Sequence, residues 1–222
     1  MWCVAELDEE YVRRMEDVLK LYETPLSEAE PVVCIDEKPV VLHQDTRAPL
    51  PARPGRLARR DYEYKRCGTA NVFCGVEPKA GRHFPKATPT RSAAEFADYL
   101  LEIVAHYPDA RTIHLVLDNL NTHGSKSLTQ RYGEKLGGLL WERFTVHYTP
   151  KHGSWLNQAE IAVGLLNSQC LGKRRLGDLP SLYHEVRAWK RRLNHDGTTI
   201  EWNFTRKLAR KKFHYSTTRT RY

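Results

Sequence analysis

Ile113-His114-Leu115-Val116-Leu117-Asp118-Asn119 is a short apolar run, interrupted by His114, that closes on an acid and an amide. A run this short and this apolar reads as a strand buried on both faces, inside a sheet that helices cover. A second stretch has the same form: Pro31 introduces Val32-Val33-Cys34-Ile35, which ends on Asp36-Glu37. Two buried strands closing on aspartates predict an α/β sheet with acids at the carboxyl ends of its strands, where ligands of open α/β sheets collect.

Working outward, Val40 to Gln44 can pair with the first strand, Asn71 to Val76 forms a third, and His83 to Thr88 another. Ser92 is a good N-cap for a helix over residues 93–106, which presents Phe96, Leu100, Ile103 and Val104 to a core. A helix is expected over residues 126–132, a last strand over 144–148, then helices over 155–171, which carries Glu160, and 179–193. Ahead of them all, residues 5–23 space Tyr11, Met15, Val18, Leu19 and Tyr22 on one helical stripe, and Thr24-Pro25 ends the segment. This order predicts an α/β fold with a mixed central sheet flanked by helices: an antiparallel meander extended by strands connected through helices.

Charge is distributed unevenly over the 222 residues. Residues 1–30 carry nine acidic and three basic side chains, while the remainder holds 32 basic and 18 acidic, so a net charge of +8 conceals a far more basic body. Such a body fits a polyanionic partner. No apolar stretch approaches the roughly 20 residues that cross a bilayer, so no membrane partner is expected. Glu6, Asp8, Glu9 and Glu10 give the N-terminus the wrong charge for a targeting peptide, so a cytoplasmic protein is expected. The cysteines, five in number and never in C-x-x-C spacing, read as reduced thiols. Residues 47–66, with seven basic and two acidic residues, three prolines and a glycine, read as an exposed arm whose arginines and tyrosines can lie on phosphates and bases.

Asp36 and Asp118, on neighbouring strands, and Glu160, on a helix packed across the sheet, would form a cluster of carboxylates. Like charges so close repel unless cations hold them, and magnesium suits oxygen ligands while keeping positions open for water and phosphate. Two such ions about 4 Å apart activate an attacking oxygen and stabilise a leaving one. Each motif alone is weak, since an aspartate after a strand is commonly a turn residue and a helical glutamate a solvated charge.

Their order and wording are more specific. Asp36-Glu37, Leu117-Asp118-Asn119-Leu120-Asn121-Thr122-His123 and Tyr148-Thr149-Pro150-Lys151-His152-Gly153-Ser154-Trp155-Leu156-Asn157-Gln158-Ala159-Glu160 closely resemble the catalytic domain of DDE transposases, in the insertion sequence 630 family of the Tc/mariner superfamily. The likeness extends to Pro54-Gly55-Arg56, Asp61-Tyr62-Glu63-Tyr64 and Trp202-Asn203-Phe204-Thr205.

The resemblance implies a ribonuclease-H-like fold, with Asp36, Asp118 and Glu160 as the metal-binding catalytic triad for two Mg2+ ions, which Mn2+ can replace. It implies that Glu37, Asn119, His123, His152 and Asn157 stand behind the metal ligands or face DNA. Arg53, Arg56, Arg59 and Arg60 of the arm, Lys151, and Lys211 and Lys212 of the tail 203–222 would hold the DNA backbone. The implied activity is metal-dependent cleavage of double-stranded DNA at transposon ends followed by strand transfer to a target. The implied assembly is a homodimer on DNA, in the bacterial cytosol and at the nucleoid when bound. Residues 1–30 are expected to be a linker helix and 31–222 the catalytic domain, with the family's N-terminal helix-turn-helix module absent. The alternative reading is a truncated remnant that binds DNA or an intact transposase without catalysing transposition.

Overall fold

The computed structural model describes residues 7–120 and 122–215. Its centre is one mixed sheet built from β1 (Val32–Asp45), β2 (Tyr64–Glu77), β3 (Arg82–His83), β4 (Lys86–Thr88), β5 (Ile113–Leu117) and β6 (Phe144–Tyr148). The order is β3-β2-β1-β5-β6, with β4 also on β2. β1 and β2 are antiparallel, whereas β1, β5 and β6 run parallel through helical crossovers. This is the meander-plus-crossover arrangement expected from the element order, and it is ribonuclease-H-like.

Strand alternation divides the core into two layers. Val33, Ile35, Phe73, Leu115 and Leu117 point to one side, where α2 (Ala93–His106) and α3 (Ser125–Trp141) supply Phe96, Tyr99, Leu100, Ile103 and Leu128. Cys34, Val40, Leu42, Val72, Cys74, Val76 and Val116 point to the other. There they meet α1 (Glu9–Glu23), α4 (Ala159–Leu165), α5 (Leu179–Asp196) and α6 (Arg206–Phe213).

Several helices follow their sequence signals closely. Ser92 caps α2, its side chain accepting from the Glu95 amide, and Asp8 caps α1 by accepting from Tyr11 N at 2.7 Å. Met15, Val18 and Leu19 of α1 are fully buried, so this helix shares the core of the sheet. Residues 5 and 6 of the expected helix lie outside the described residues. His114, the interruption in the apolar run, has its partner across the sheet: its Nδ1 lies 2.9 Å from His147 Nε2, and His147 Nδ1 lies 2.7 Å from Asp17 Oδ2 on α1.

Several boundaries differ from the sequence reading, and the strand expected at His83 to Thr88 is two short ones, β3 and β4. The expected pair of strands at 32–36 and 40–44 is one continuous 14-residue strand, β1, with Asp36 in its middle. Its pairing explains how it passes through Asp36-Glu37-Lys38-Pro39. β2 follows β1 along its length, up to Pro39↔Asn71 and beyond, but β5 pairs only with Val32–Cys34, so Pro39 sits where one edge of the strand is free. The strand expected at 71–76 likewise starts earlier, because Tyr64 and Lys65, taken for part of the arm, pair with Asp45 and Gln44. The helix expected over 155–171 is three pieces: a 3-10 turn at Ser154–Leu156, α4, and a π turn at Leu166–Leu171 ended by Gly172 at φ 51°.

α3 passes the expected stop at Tyr132 after a break at Gly133, whose φ of 82° suits glycine. The uneven charge also has a structural outlet. Arg210 pairs with Glu16 at 2.7 Å and Arg206 with Glu23 at 2.8 Å, while Tyr215 donates to Glu16, so the acidic helix α1 seats the basic helix α6.

Candidate active site

The sheet register brings the two aspartates together. Cys34 is opposite Val116 in the parallel β1–β5 ladder, and both side chains enter the layer containing α4. Asp36 and Asp118 each follow two residues beyond this pair, at the end of the ladder, near enough that the Asp118 charge bears on Asp36. Asp36 Oδ1 accepts from the Glu37 amide at 2.8 Å. Burial pushes the Asp36 carboxyl up to about 7, and the negative charges of Glu160, Glu37 and Asp118 push in the same direction.

Glu160 reaches this place through Asn157. The Asn157 side chain is buried; it donates through Nδ2 to the Ile35 carbonyl at 2.8 Å and accepts from the Ala159 amide at 3.1 Å. It thereby bonds the first residue of α4 and ties that residue to the one before Asp36. Tyr22 of α1 donates to the Leu156 carbonyl at 2.8 Å and closes the same turn from the other side. Glu160, in the first turn of α4, is exposed.

Glu37 points into the opposite layer, as strand alternation requires. Its Oε1 lies 2.6 Å from His123 Nε2, and both side chains are almost entirely buried. His123 Nδ1 lies 2.6 Å from Asp118 Oδ1, at an angle outside a hydrogen bond, so this contact is an ion pair. The ring packs on Phe96 with centroids 4.5 Å apart, and Tyr148 donates to the His123 carbonyl at 2.7 Å. Burial alone would lower this imidazole, but the Asp118 and Glu37 carboxylates hold it up at about 9. His123 is thus a cation at neutral pH, joining a buried glutamate to one aspartate of the site. The sequence singled out these residues separately; the bridge between them depends on the loop after β5 folding back over β1.

The remaining candidates fall into distinct places. Asn119, Lys151 and His152 line a depression of about 380 Å3 with Asp8, Tyr11 and Arg14 of the α1 end. His152 holds a left-handed φ of 62° in the turn between β6 and the 3-10 segment. Asn157 is a buried clamp whose side chain is committed to backbone, which leaves it unable to face DNA.

The arm is a hairpin-like loop: Leu50 and Arg59 exchange backbone hydrogen bonds, as do Arg53 and Arg56 around Pro54-Gly55 at its tip. Arg53, Arg56 and Arg59 are exposed. Arg60 instead donates to the Lys173 carbonyl at 2.8 Å and lies 3.5 Å from Asp45, so it secures the arm. Arg175 was not anticipated at all. It pairs with Asp45 at 2.7 Å, donates to the carbonyls of Asp61, Tyr62 and Glu63, and lies over the Tyr64 ring. Lys211 and Lys212 are exposed on α6, and residues 216–222 of the expected basic tail lie outside the described residues.

The donor set fits a hard divalent cation. Asp36, Asp118 and Glu160 offer only carboxylate oxygens, and their mutual repulsion, felt at Asp36, is what such an ion relieves. Among the described residues, no three His, Cys, Asp or Glu side chains are already drawn to one metal position.

A mixed, ribonuclease-H-like sheet with one acid on β1, one directly after β5 and a third on the helix laid across them defines the class: an α/β domain of ribonuclease-H-like fold. The family model described as DDE superfamily endonuclease matches residues 31–183, and the chain belongs to that family. No curated protein matches the chain by sequence. Among solved structures, the Mos1 strand transfer complex is similar in fold, with a TM-score of 0.51 at 16% identity over 90% of this chain and 66% of that one. The Mos1 paired-end complex with left transposon end gives 0.49 at 16% identity, again over 90% and 66%. The chain thus spans about two thirds of the length of these Mos1 chains.

Proposed function

We propose that this chain is a transposase catalytic domain that cleaves double-stranded DNA at transposon ends and joins the freed strand to a target. The observation that carries the reading is that the β1–β5 ladder runs up to Cys34↔Val116, two residues before each aspartate, and that the charges of both Glu160 and Asp118 bear on Asp36. Family membership and the fold shared with a strand transfer complex support the same chemistry.

In this reading Asp36, Asp118 and Glu160 hold Mg2+ or Mn2+, two ions in number. The ions supply activation of the attacking oxygen and stabilisation of the leaving one, so a water or a DNA 3′-hydroxyl serves equally as nucleophile. The protein's own part is positioning. Asn157 sets the height of α4 and therefore of Glu160, while the His123 cation orients Asp118 and neutralises Glu37. Arg53, Arg56 and Arg59 at the arm, Lys151 beside the site and Lys211 and Lys212 on α6 contact backbone phosphates. The protein acts as a homodimer on two ends, in the cytosol at the nucleoid. No described helix is long and apolar enough to cross a membrane.

The test is nicking of supercoiled plasmid in Mg2+ or Mn2+ by the unchanged chain beside Asp36→Ala, Asp118→Ala and Glu160→Ala. Metal-dependent nicking lost in all three variants supports the reading. Salt-sensitive binding without nicking in either metal would replace it with the non-catalytic remnant.

A further inference from the structure

The edge of the sheet at β4 carries a second charged feature, apart from the carboxylates and from the arm. β4 closes that side of β2, α5 packs against β4 and β3, and α2 approaches from the opposite layer. Between them lies a cleft of about 620 Å3 whose walls include Lys86, Arg187, Lys190, Arg191 and Tyr183. Its one carboxylate, Glu102, is paired with Lys86 at 2.6 Å. Among the described residues, Arg187, Lys190 and Arg191 have no carboxylate within ion-pair distance, unlike Arg174, Arg175, Arg206 and Arg210.

Helical spacing explains the grouping. Residues 183, 187, 190, 191 and 194 fall on one stripe of α5, while Leu182, Val186, Trp189 and Leu193 occupy the stripe that enters the core. Lys190 is part-buried; burial, opposed by Glu102 and aided by the Lys86 charge, lowers its ammonium. Its Nζ lies 6.0 Å from the centre of the Phe84 ring. Tyr183 is half-exposed and presents an aromatic face at the same cleft. Concentrating four cations around one neutralised acid costs self-repulsion, and an anion relieves it.

The cleft also lies close to the acid site. Lys86 is opposite Phe73, and Phe73 is opposite Glu37, so β4 passes two strand spacings, about 10 Å, from β1 at the level of the carboxylates.

We propose that this α5–β4 cleft is an additional DNA-backbone site, in which Arg187, Lys190 and Arg191 take successive phosphates of one strand and Tyr183 lies against sugar or base. It rests on the DNA-processing reading above and adds to it a contact surface that neither the arm nor the α6 lysines provide. The cleft holds DNA by charge, with no base readout, so its contribution is independent of sequence and falls with salt.

The test is fluorescence anisotropy of a labelled duplex of arbitrary sequence, titrated across KCl concentrations, with the full chain, Arg187→Ala/Arg191→Ala, and Arg53→Ala/Arg56→Ala. All four arginines are exposed, so circular dichroism and melting should match the unchanged protein. Loss of two phosphate contacts should reduce the salt slope by about 1.8 and weaken binding on the order of tenfold. An unchanged slope in the α5 variant, with a reduced slope in the arm variant, overturns the cleft and leaves the DNA reading standing. No duplex binding by the unchanged chain overturns both. If the α5 variant keeps its duplex affinity but loses affinity for polyglutamate, the cleft takes an acidic protein and the proposal is wrong.

Discussion

Asn157 donates to the Ile35 carbonyl at 2.8 Å, so the helix that carries Glu160 is hydrogen-bonded to the strand one residue before Asp36. Its Oδ1 accepts from the Ala159 amide, so a single side chain fixes the start of α4 and its distance from β1. Asn157→Ala leaves the Ile35 carbonyl and the Ala159 amide without these partners inside the core. The expected cost is about 1–3 kcal/mol. Nicking activity should fall further than stability does, because Glu160 loses its anchor. Urea melts beside plasmid nicking check this, and equal nicking at full folding would refute the positioning role.

His123 gives a pH signature. Its folded value, held at about 9, lies above the ordinary 6.5, so its attraction to Glu37 and Asp118 stabilises the fold fully below pH 6.5. That contribution is lost as pH rises through 9. His123→Gln should be less stable than the unchanged chain by about 3 kcal/mol near pH 6, because Glu37 is then buried without a cation. The gap should narrow by pH 10. Melting temperatures of both proteins from pH 6 to pH 10 provide the measurement.

Asp36 shifts in the same direction as His123, but there the shift favours the neutral form. Its folded value of about 7 lies above 3.8, so the metal-free fold favours the protonated acid; stability is full below pH 3.8 and is lost as pH rises through 7. Asp36→Asn should therefore stabilise the metal-free protein at pH 8, by about 1–2 kcal/mol given the partial exposure of the carboxyl. Adding Mg2+ should raise the melting temperature of the unchanged chain at pH 8 and leave Asp36→Asn nearly unmoved. A variant less stable than the unchanged chain at pH 8 without metal would contradict the electrostatic account.

Arg175 holds the base of the arm through Asp45 and three backbone carbonyls. Arg175→Ala should release residues 47–63 while leaving the sheet intact. Limited trypsinolysis should cut faster at Arg53, Arg56 and Arg59, with global stability reduced by no more than about 2–3 kcal/mol. Unchanged cleavage at these arginines would show that other contacts suffice.

The sequence by itself determined the strand at 113–117, the helix at 93–106 with its Ser92 cap, the buried stripe of α1, and the three acids in order. Those features are local: apolar period, capping chemistry and neighbouring residues set them within a few positions. Asp36 in mid-strand was not legible, because only the early end of β5 pairing reveals that one edge of β1 is free at Asp36 and Pro39. The Glu37–His123–Asp118 bridge, the Asn157 clamp and the Arg175 anchor join residues 86, 122 and 130 positions apart. No spacing within one segment encodes such contacts. Tertiary structure alone decided them, because a buried charge or amide takes whichever partner the packed sheet and helices bring within reach.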